Sequence, residues 1–319
     1  MTRIILAFFL TACATSVLAQ QTPVFSQYYF NELVINPAYA GSHVQFSATS
    51  MYRNQWVNFP GAPKTYLFSA HSSFLKDKMG LGMLINVDNI GSYSNKNVYF
   101  SYAYFLKFPQ AKLSFGLQAG FDLLGADFSN LSLYNNNSGN NSNAGDPSFA
   151  NVNQFKPNIG AGIYYRRKNF FAGFSVPMLI NNKVNYADVN AVSSSIQQAR
   201  YYFLRVGGMF PINQLRTVKL NPSILLRSQE GQPLSLDINA AFIFYEVCSA
   251  GVSYRTVDAV VTFVELKLSE KLHVAYSYDW TTSNINTFSN GTHEFMLNYR
   301  TRIRRLHKNL ECPGYYGSN

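Results

Sequence analysis

Between Ser42 and Arg302, apolar and polar residues alternate with a period of two. This is the period at which successive side chains of a strand point to opposite faces. Leu113, Phe115, Leu117, Ala119, Phe121 and Leu123 are interleaved with Ser114, Gly116, Gln118, Gly120 and Asp122. Leu234, Leu236, Ile238, Ala240, Phe242 and Phe244 stand against Ser235, Asp237 and Asn239 in the same way. So do Leu272, Val274, Tyr276, Tyr278 and Trp280 against His273, Ala275, Ser277 and Asp279. Each stretch has one apolar face and one small or polar face. The pattern predicts fourteen strands, at about 42–54, 63–74, 79–89, 93–107, 111–127, 155–167, 170–178, 200–211, 216–227, 233–246, 248–256, 258–268, 271–281 and 292–302. Their length suits tilted strands that cross a bilayer, for which about 9–11 residues suffice.

The links between these strands alternate too. Short ones fall at 75–78, 108–110, 167–169, 212–215, around Val247, and at 269–271. Longer ones fall at 55–62, 90–92, 129–154, 179–199, 228–232 and 282–291, and only 256–258 breaks the rule. Outer-membrane barrels have an even number of strands, short periplasmic turns and longer outer loops. The expected fold is therefore all-β: a transmembrane, antiparallel, up-and-down barrel of about 14 strands. A soluble sandwich would share the alternation but not the asymmetry of the links.

Composition points the same way. Charged residues make up 13% of the chain and aromatics 16%, whereas a soluble domain carries about 25% charged residues. After residue 20 polar residues interrupt every apolar run, so no stretch approaches the ~20 apolar residues of a spanning helix. Arg3, the apolar run Ile4–Leu10, and Val17 and Ala19 at the −3 and −1 positions form a secretory signal cleaved after Ala19. Leu10-Thr11-Ala12-Cys13 offers a rival lipoprotein reading of the same segment. Export argues that the net charge of +10 does not mean nucleic acid. The implied organisation is a signal peptide at 1–19, a periplasmic, plug-like N-terminal segment at 20–41, the outer-membrane barrel at 42–302, and a basic periplasmic tail at 303–319.

The run Phe25-Ser26-Gln27-Tyr28, followed by Ile35-Asn36-Pro37-Ala38-Tyr39-Ala40-Gly41, resembles the PorP/SprF family of the Bacteroidetes type IX secretion and gliding-motility system. The resemblance continues through Arg53, Gln55 and Trp56, Gly61-Ala62-Pro63, Gly80-Leu81-Gly82, Asp146-Pro147, Ser253-Tyr254-Arg255, Tyr276-Ser277-Tyr278-Asp279 and His293-Glu294. It implies an integral outer-membrane barrel accessory to secretion, helping to export or anchor a particular secreted protein. Large gliding adhesins with a type B C-terminal targeting domain are the usual example. It also implies contact with periplasmic parts of the machine. The runner-up reading is a passive or substrate-selective pore.

No enzyme chemistry is legible. The His residues have no metal-ligand spacing, and His293 and Glu294, being adjacent, face opposite sides of a strand. No G-x-S-x-G motif occurs, and no catalytic, metal or cofactor residue is expected. Inward charge is more informative. A charge facing lipid near the midplane would cost about 2–4 kcal/mol, so Arg53, Asp122, Arg205, Lys219, Arg227, Asp237, Arg255, Asp279 and Glu294 are expected in the lumen. They would form either a salt-bridged filling or a charged passage. Phe25, Tyr28, Tyr29, Phe30, Leu33, Val34, Ile35 and Tyr39 would leave an exposed apolar patch unless their segment packs against the periplasmic mouth, with Asn36-Pro37 as the turn into the first strand. Trp56 and Phe59 are candidate partner contacts or members of an interface belt. Arg304 and Arg305 belong to a basic tail, either simply solvated or binding an acidic periplasmic component. Cys248 and Cys312 are placed on the same side and could form a disulfide.

Overall fold

The computed structural model describes residues 25–43, 45–75, 77–127, 152–185, 195–256 and 258–301. Fourteen strands form the wall: β1 Phe46–Asn54, β2 Lys64–Phe74, β3 Met79–Ile90, β4 Tyr93–Phe108, β5 Ala111–Ala126, β6 Val152–Arg167, β7 Phe170–Val176, β8 Tyr201–Gly208, β9 Val218–Gln229, β10 Ser235–Phe244, β11 Cys248–Arg255, β12 Ala259–Lys267, β13 Leu272–Thr281 and β14 Thr292–Thr301. Each pairs antiparallel with its neighbours in sequence. The ring closes where β1 meets β14, with Phe46 opposite Thr301 and Asn54 opposite His293. A closed antiparallel sheet satisfies every ladder group inside the wall, which is what a hydrocarbon environment demands. All fourteen predicted strands are present.

The alternation sorts the two faces as expected. On β14, Thr292, Glu294, Met296 and Asn298 are buried, while Phe295, Leu297 and Tyr299 are exposed on the outside. On β4, Tyr99, Ser101, Ala103 and Phe105 are buried against exposed Phe100, Tyr102, Tyr104 and Leu106. The inner face departs from the small-or-polar expectation, however. Met51, Leu67, Phe203, Leu225, Phe263 and Met296 are also buried inside, because the lumen contains apolar chain for them to pack against.

Two links differ from the sequence reading. The 90–92 link, read as a longer outer one, is a two-residue turn in which Gly91 adopts φ 56°. The 212–215 link is longer, spanning 209–217, because Phe210–Pro211 forms a short strand of its own against Lys219 and Leu220. Within the long link between β7 and β8, Lys183–Asn185 pairs with Ser195–Gln197.

Residues 25–43 lie inside the ring. They form three single 3-10 turns, Ser26–Tyr29, Glu32–Val34 and Pro37–Tyr39. The segment does more than cover the short-turn mouth. Its later half sits there, at Gly80 and Gly116, and its earlier half continues up the lumen to Arg53 and Glu294, near the long-loop end. Asn36 does not turn the chain into β1. Its side chain accepts from the Ala38 N–H (2.9 Å) and starts the third 3-10 turn. The exit comes later, through Gly41 at φ 68°.

Candidate functional site

The lumen is the feature on which the sequence has placed its charge. At the long-loop end, Arg53 of β1 pairs with Asp279 of β13 (3.0 Å) and with Glu294 of β14. Arg255 of β11 pairs with Asp237 of β10 (3.1 Å) and with Asp258 (3.1 Å), and approaches Asp279 at 3.9 Å. Strand register brings these residues together from distant parts of the chain. The first internal turn then docks onto them. The Ser26 and Gln27 N–H groups donate to the two Glu294 oxygens (2.8 and 3.0 Å), and the Ser26 hydroxyl donates to Asp279 (2.7 Å). Gln27 Nε2 donates to the Glu294 carbonyl (2.9 Å). A buried ion pair is worth its desolvation only when further hydrogen bonds satisfy the remaining atoms. Here the N-terminal segment supplies those bonds.

Halfway down, Glu32 pairs with Arg205 of β8 (2.7 Å) and accepts from the Tyr164 hydroxyl (3.3 Å). The Arg205 guanidinium also lies over the rings of Tyr28, Tyr29 and Phe171, at 5.0–5.4 Å, within cation–π range. Burial pushes the Glu32 carboxyl up, and the Arg205 charge beside it pulls it back down. Around these polar anchors the segment packs by apolar contact. Phe25 meets Met51, Leu67 and Met296; Tyr28 and Ile35 meet Phe203 and Leu225; Phe30 meets the edge of Phe263.

Near the short turns the fit depends on small residues. Any side chain at Gly116 would collide with the Ala38 backbone. Ser175 donates to the Ile35 carbonyl (2.6 Å), Asn36 to the Ile163 carbonyl (3.1 Å), and Arg166 to the Ser42 carbonyl (3.2 Å). His43 and His71 stack at 5.5 Å beside Tyr39.

Of the expected lumen charges, Arg53, Asp237, Arg255, Asp279 and Glu294 therefore form one cluster, and Arg205 a second site. Asp122 is buried apart from them. It accepts from Asn97, Tyr99 and Gln198 at 2.6–2.9 Å. Lys219 pairs with Glu246, and Arg227 donates to Ser235 (3.2 Å); both are half-buried. Trp56 and Phe59 lie in the 55–63 link, which is tied to the 282–291 link: the Val57 N–H donates to the Gly291 carbonyl and the Asn290 N–H to the Val57 carbonyl, both at 2.9 Å. Phe59 is exposed and Trp56 half-buried. Cys248 is half-buried at the start of β11. Cys312, Arg304 and Arg305 lie outside the described residues. Among the described residues, no group of three or more His, Cys, Asp and Glu is placed to hold a metal ion.

Sequence reasoning did not assign Ser26, Gln27 and Glu32 as partners of the lumen charges. Glu32 is the only acid between residues 20 and 43, and that was the available signal. It also did not place Pro177. Its carbonyl accepts from inward-facing Gln118 (2.8 Å), so the long link after β7 folds back inside the wall.

The sequence model of type IX secretion system membrane protein PorP/SprF matches residues 17–299. This chain belongs to the PorP/SprF family. Among curated proteins none matches it. This PorP/SprF barrel is similar to the solved structure of the CymD monoaromatic hydrocarbon channel, with 12% identity over 90% of this chain and 95% of that one and a TM-score of 0.48. It is also similar to outer membrane protein Omp33 of Acinetobacter baumannii, with 9% identity over 82% and 98% and a TM-score of 0.43. Likeness at this level adds nothing to the strand pairing described above. Barrel and family together place the protein in the outer membrane, as a component associated with type IX secretion.

Proposed function

We propose that this barrel binds one specific secreted surface protein and helps it to be exported or anchored, acting by binding and with no bond made or broken. A large protein with a type B C-terminal targeting domain, such as a gliding adhesin, is the partner that family membership suggests. Export of the barrel itself would follow removal of residues 1–19. The observation that carries the reading is the occupied lumen. A barrel whose interior is filled by residues 25–43, held at both ends by buried polar contacts, suits a docking partner better than a pore. The outer loops, where binding residues concentrate on rigid scaffolds, are the surface offered to cargo, with Trp56 and Phe59 among them.

Deleting the gene and comparing surface proteins tests this. The expected result is loss of one large surface protein while general secretion continues. A full set of surface proteins would overturn it. Single-channel recording on the purified barrel should show little current, and a steady porin-like conductance would favour the pore instead.

A further inference from the structure

The charge of the described residues is unevenly divided between the two ends of the barrel. Take the short-turn links, the three strand residues flanking each, and residues 299–301 at the end of β14. Among the described residues this zone holds eleven Lys or Arg and four Asp or Glu. All the remaining described residues hold nine of each. The excess of positive charge is therefore confined to the short-turn end.

The direction of these side chains matters as much as their number. Strand alternation turns Lys107, Lys112, Arg166, Lys219, Lys267 and Arg300 toward the lumen mouth. The outward positions at the same level carry exposed aromatics, among them Phe74, Phe108, Phe170, Phe210, Phe244 and Tyr299. Such an aromatic girdle is what a lipid interface selects. Cations meant for lipid headgroups would stand among those rings. Most of these point instead to the axis, where headgroups do not reach. His43 stacks on His71 at the level of Arg166 and Arg300, and burial followed by the Arg300 charge drives its pKa well below the ordinary value. Three acids of this zone already meet these cations: Glu265 is shared by His273 (3.4 Å) and Arg300 (4.0 Å), Glu246 pairs with Lys219, and Glu270 pairs with Lys267 (3.2 Å), which leaves the positive charge in excess.

We propose that the short-turn mouth is a docking surface for an acidic polypeptide segment of a periplasmic partner. The lumen-facing cations receive its carboxylates, and the exposed turn residues Lys78, Lys168, Arg216 and Lys271 widen the basic rim. The proposal rests on the orientation of the barrel in the membrane, which puts short turns in the periplasm, and not on the identity of the cargo bound at the other face. Long-range attraction of this kind sets encounter rate and specificity and weakens as salt rises.

The test uses the full-length barrel in nanodiscs of zwitterionic lipid, with a fluorescent poly-glutamate peptide as probe. Binding should be saturable, should weaken with salt, and should protect Lys107, Lys168 and Lys271 from acetylation while leaving Lys64, Lys96 and Lys183 reactive. Reversing the four rim residues (Lys78→Glu, Lys168→Glu, Arg216→Glu, Lys271→Glu) should weaken it by about tenfold or more. Reversing Lys64 and Lys183 at the long-loop end should leave it unchanged. The rim residues are exposed on turns, so the variant is expected to keep its fold; an unchanged melting curve confirms that. Uniform lysine protection, equal loss from both sets of reversals, or binding of phosphatidylglycerol vesicles without binding of the peptide would each overturn the proposal.

Discussion

The two ends of the barrel treat charge in opposite ways. At the long-loop end, Arg53 and Arg255 are buried among Asp237, Asp279 and Glu294, and Ser26 ties the cluster together: its N–H and that of Gln27 donate to Glu294, its hydroxyl donates to Asp279, and it accepts from Arg53 and Arg255. At the short-turn end the charges are mostly positive, eleven against four among the described residues, and nearer to water. Lys267 is 27% exposed and its partner Glu270 is 91% exposed. The first arrangement consumes its charges in holding the internal segment. The second leaves a field directed at whatever approaches the short-turn mouth. Buried charge here specifies an interior structure, and surface charge advertises a face.

Four experiments would break or sharpen this contrast. The largest effect should come from deleting residues 25–41. That removes the filling and strips Glu294, Asp279 and Arg205 of partners, so conductance should rise and the melting temperature should fall. An unchanged barrel would mean that the segment is a passenger. Next, Glu294→Ala leaves Arg53 with a single close carboxylate and orphans two backbone N–H groups. Breaking a buried pair in this way costs about 3–5 kcal/mol, readable by denaturant unfolding in detergent micelles.

A smaller, pH-dependent effect belongs to the other end. His43, half-buried, desolvated and close to Arg300, has its folded pKa well below 6.5. The unfolded state then binds the extra proton, so stability should hold above about pH 6.5 and fall on acidification below it. The limiting slope from one such group is about 1.4 kcal/mol per pH unit. His43→Asn should flatten the unfolding curve between pH 6 and 5; an identical slope in the variant would remove His43 from the account. Least of all, Glu270→Gln breaks a solvent-exposed pair and should change stability by under about 1 kcal/mol. A loss comparable to that of Glu294→Ala would erase the distinction between the two ends.

The wall was legible in the sequence because the odd-even rule is local: each residue's face follows from its neighbours alone. It misled at Gly91, where a loop was expected and a positive-φ residue closes the turn within two residues. The lumen charges were legible from the same rule. Their partners were not, since Ser26 and Glu294 are 268 positions apart and only closure of the ring makes them neighbours. Inward Met51, Leu67, Leu225 and Met296 ran against the pattern for a reason absent from their own strands: the apolar surface of Phe25, Tyr28 and Ile35 lies across from them. The basic mouth needs both kinds of information. The residues are plain in the sequence, but their gathering at one end depends on which turns are short.

The internal segment also constrains how the molecule can be assembled. It comes first in the chain, yet its leading turn is gripped by β13 and β14, the last strands made, and by β1, which closes on them. A cylinder sealed before the segment had entered would have to readmit about twenty residues through an end narrowed by its own side chains. Sealing of the seam and capture of the segment are then one event, and pulse-labelling during insertion should show both becoming protected together.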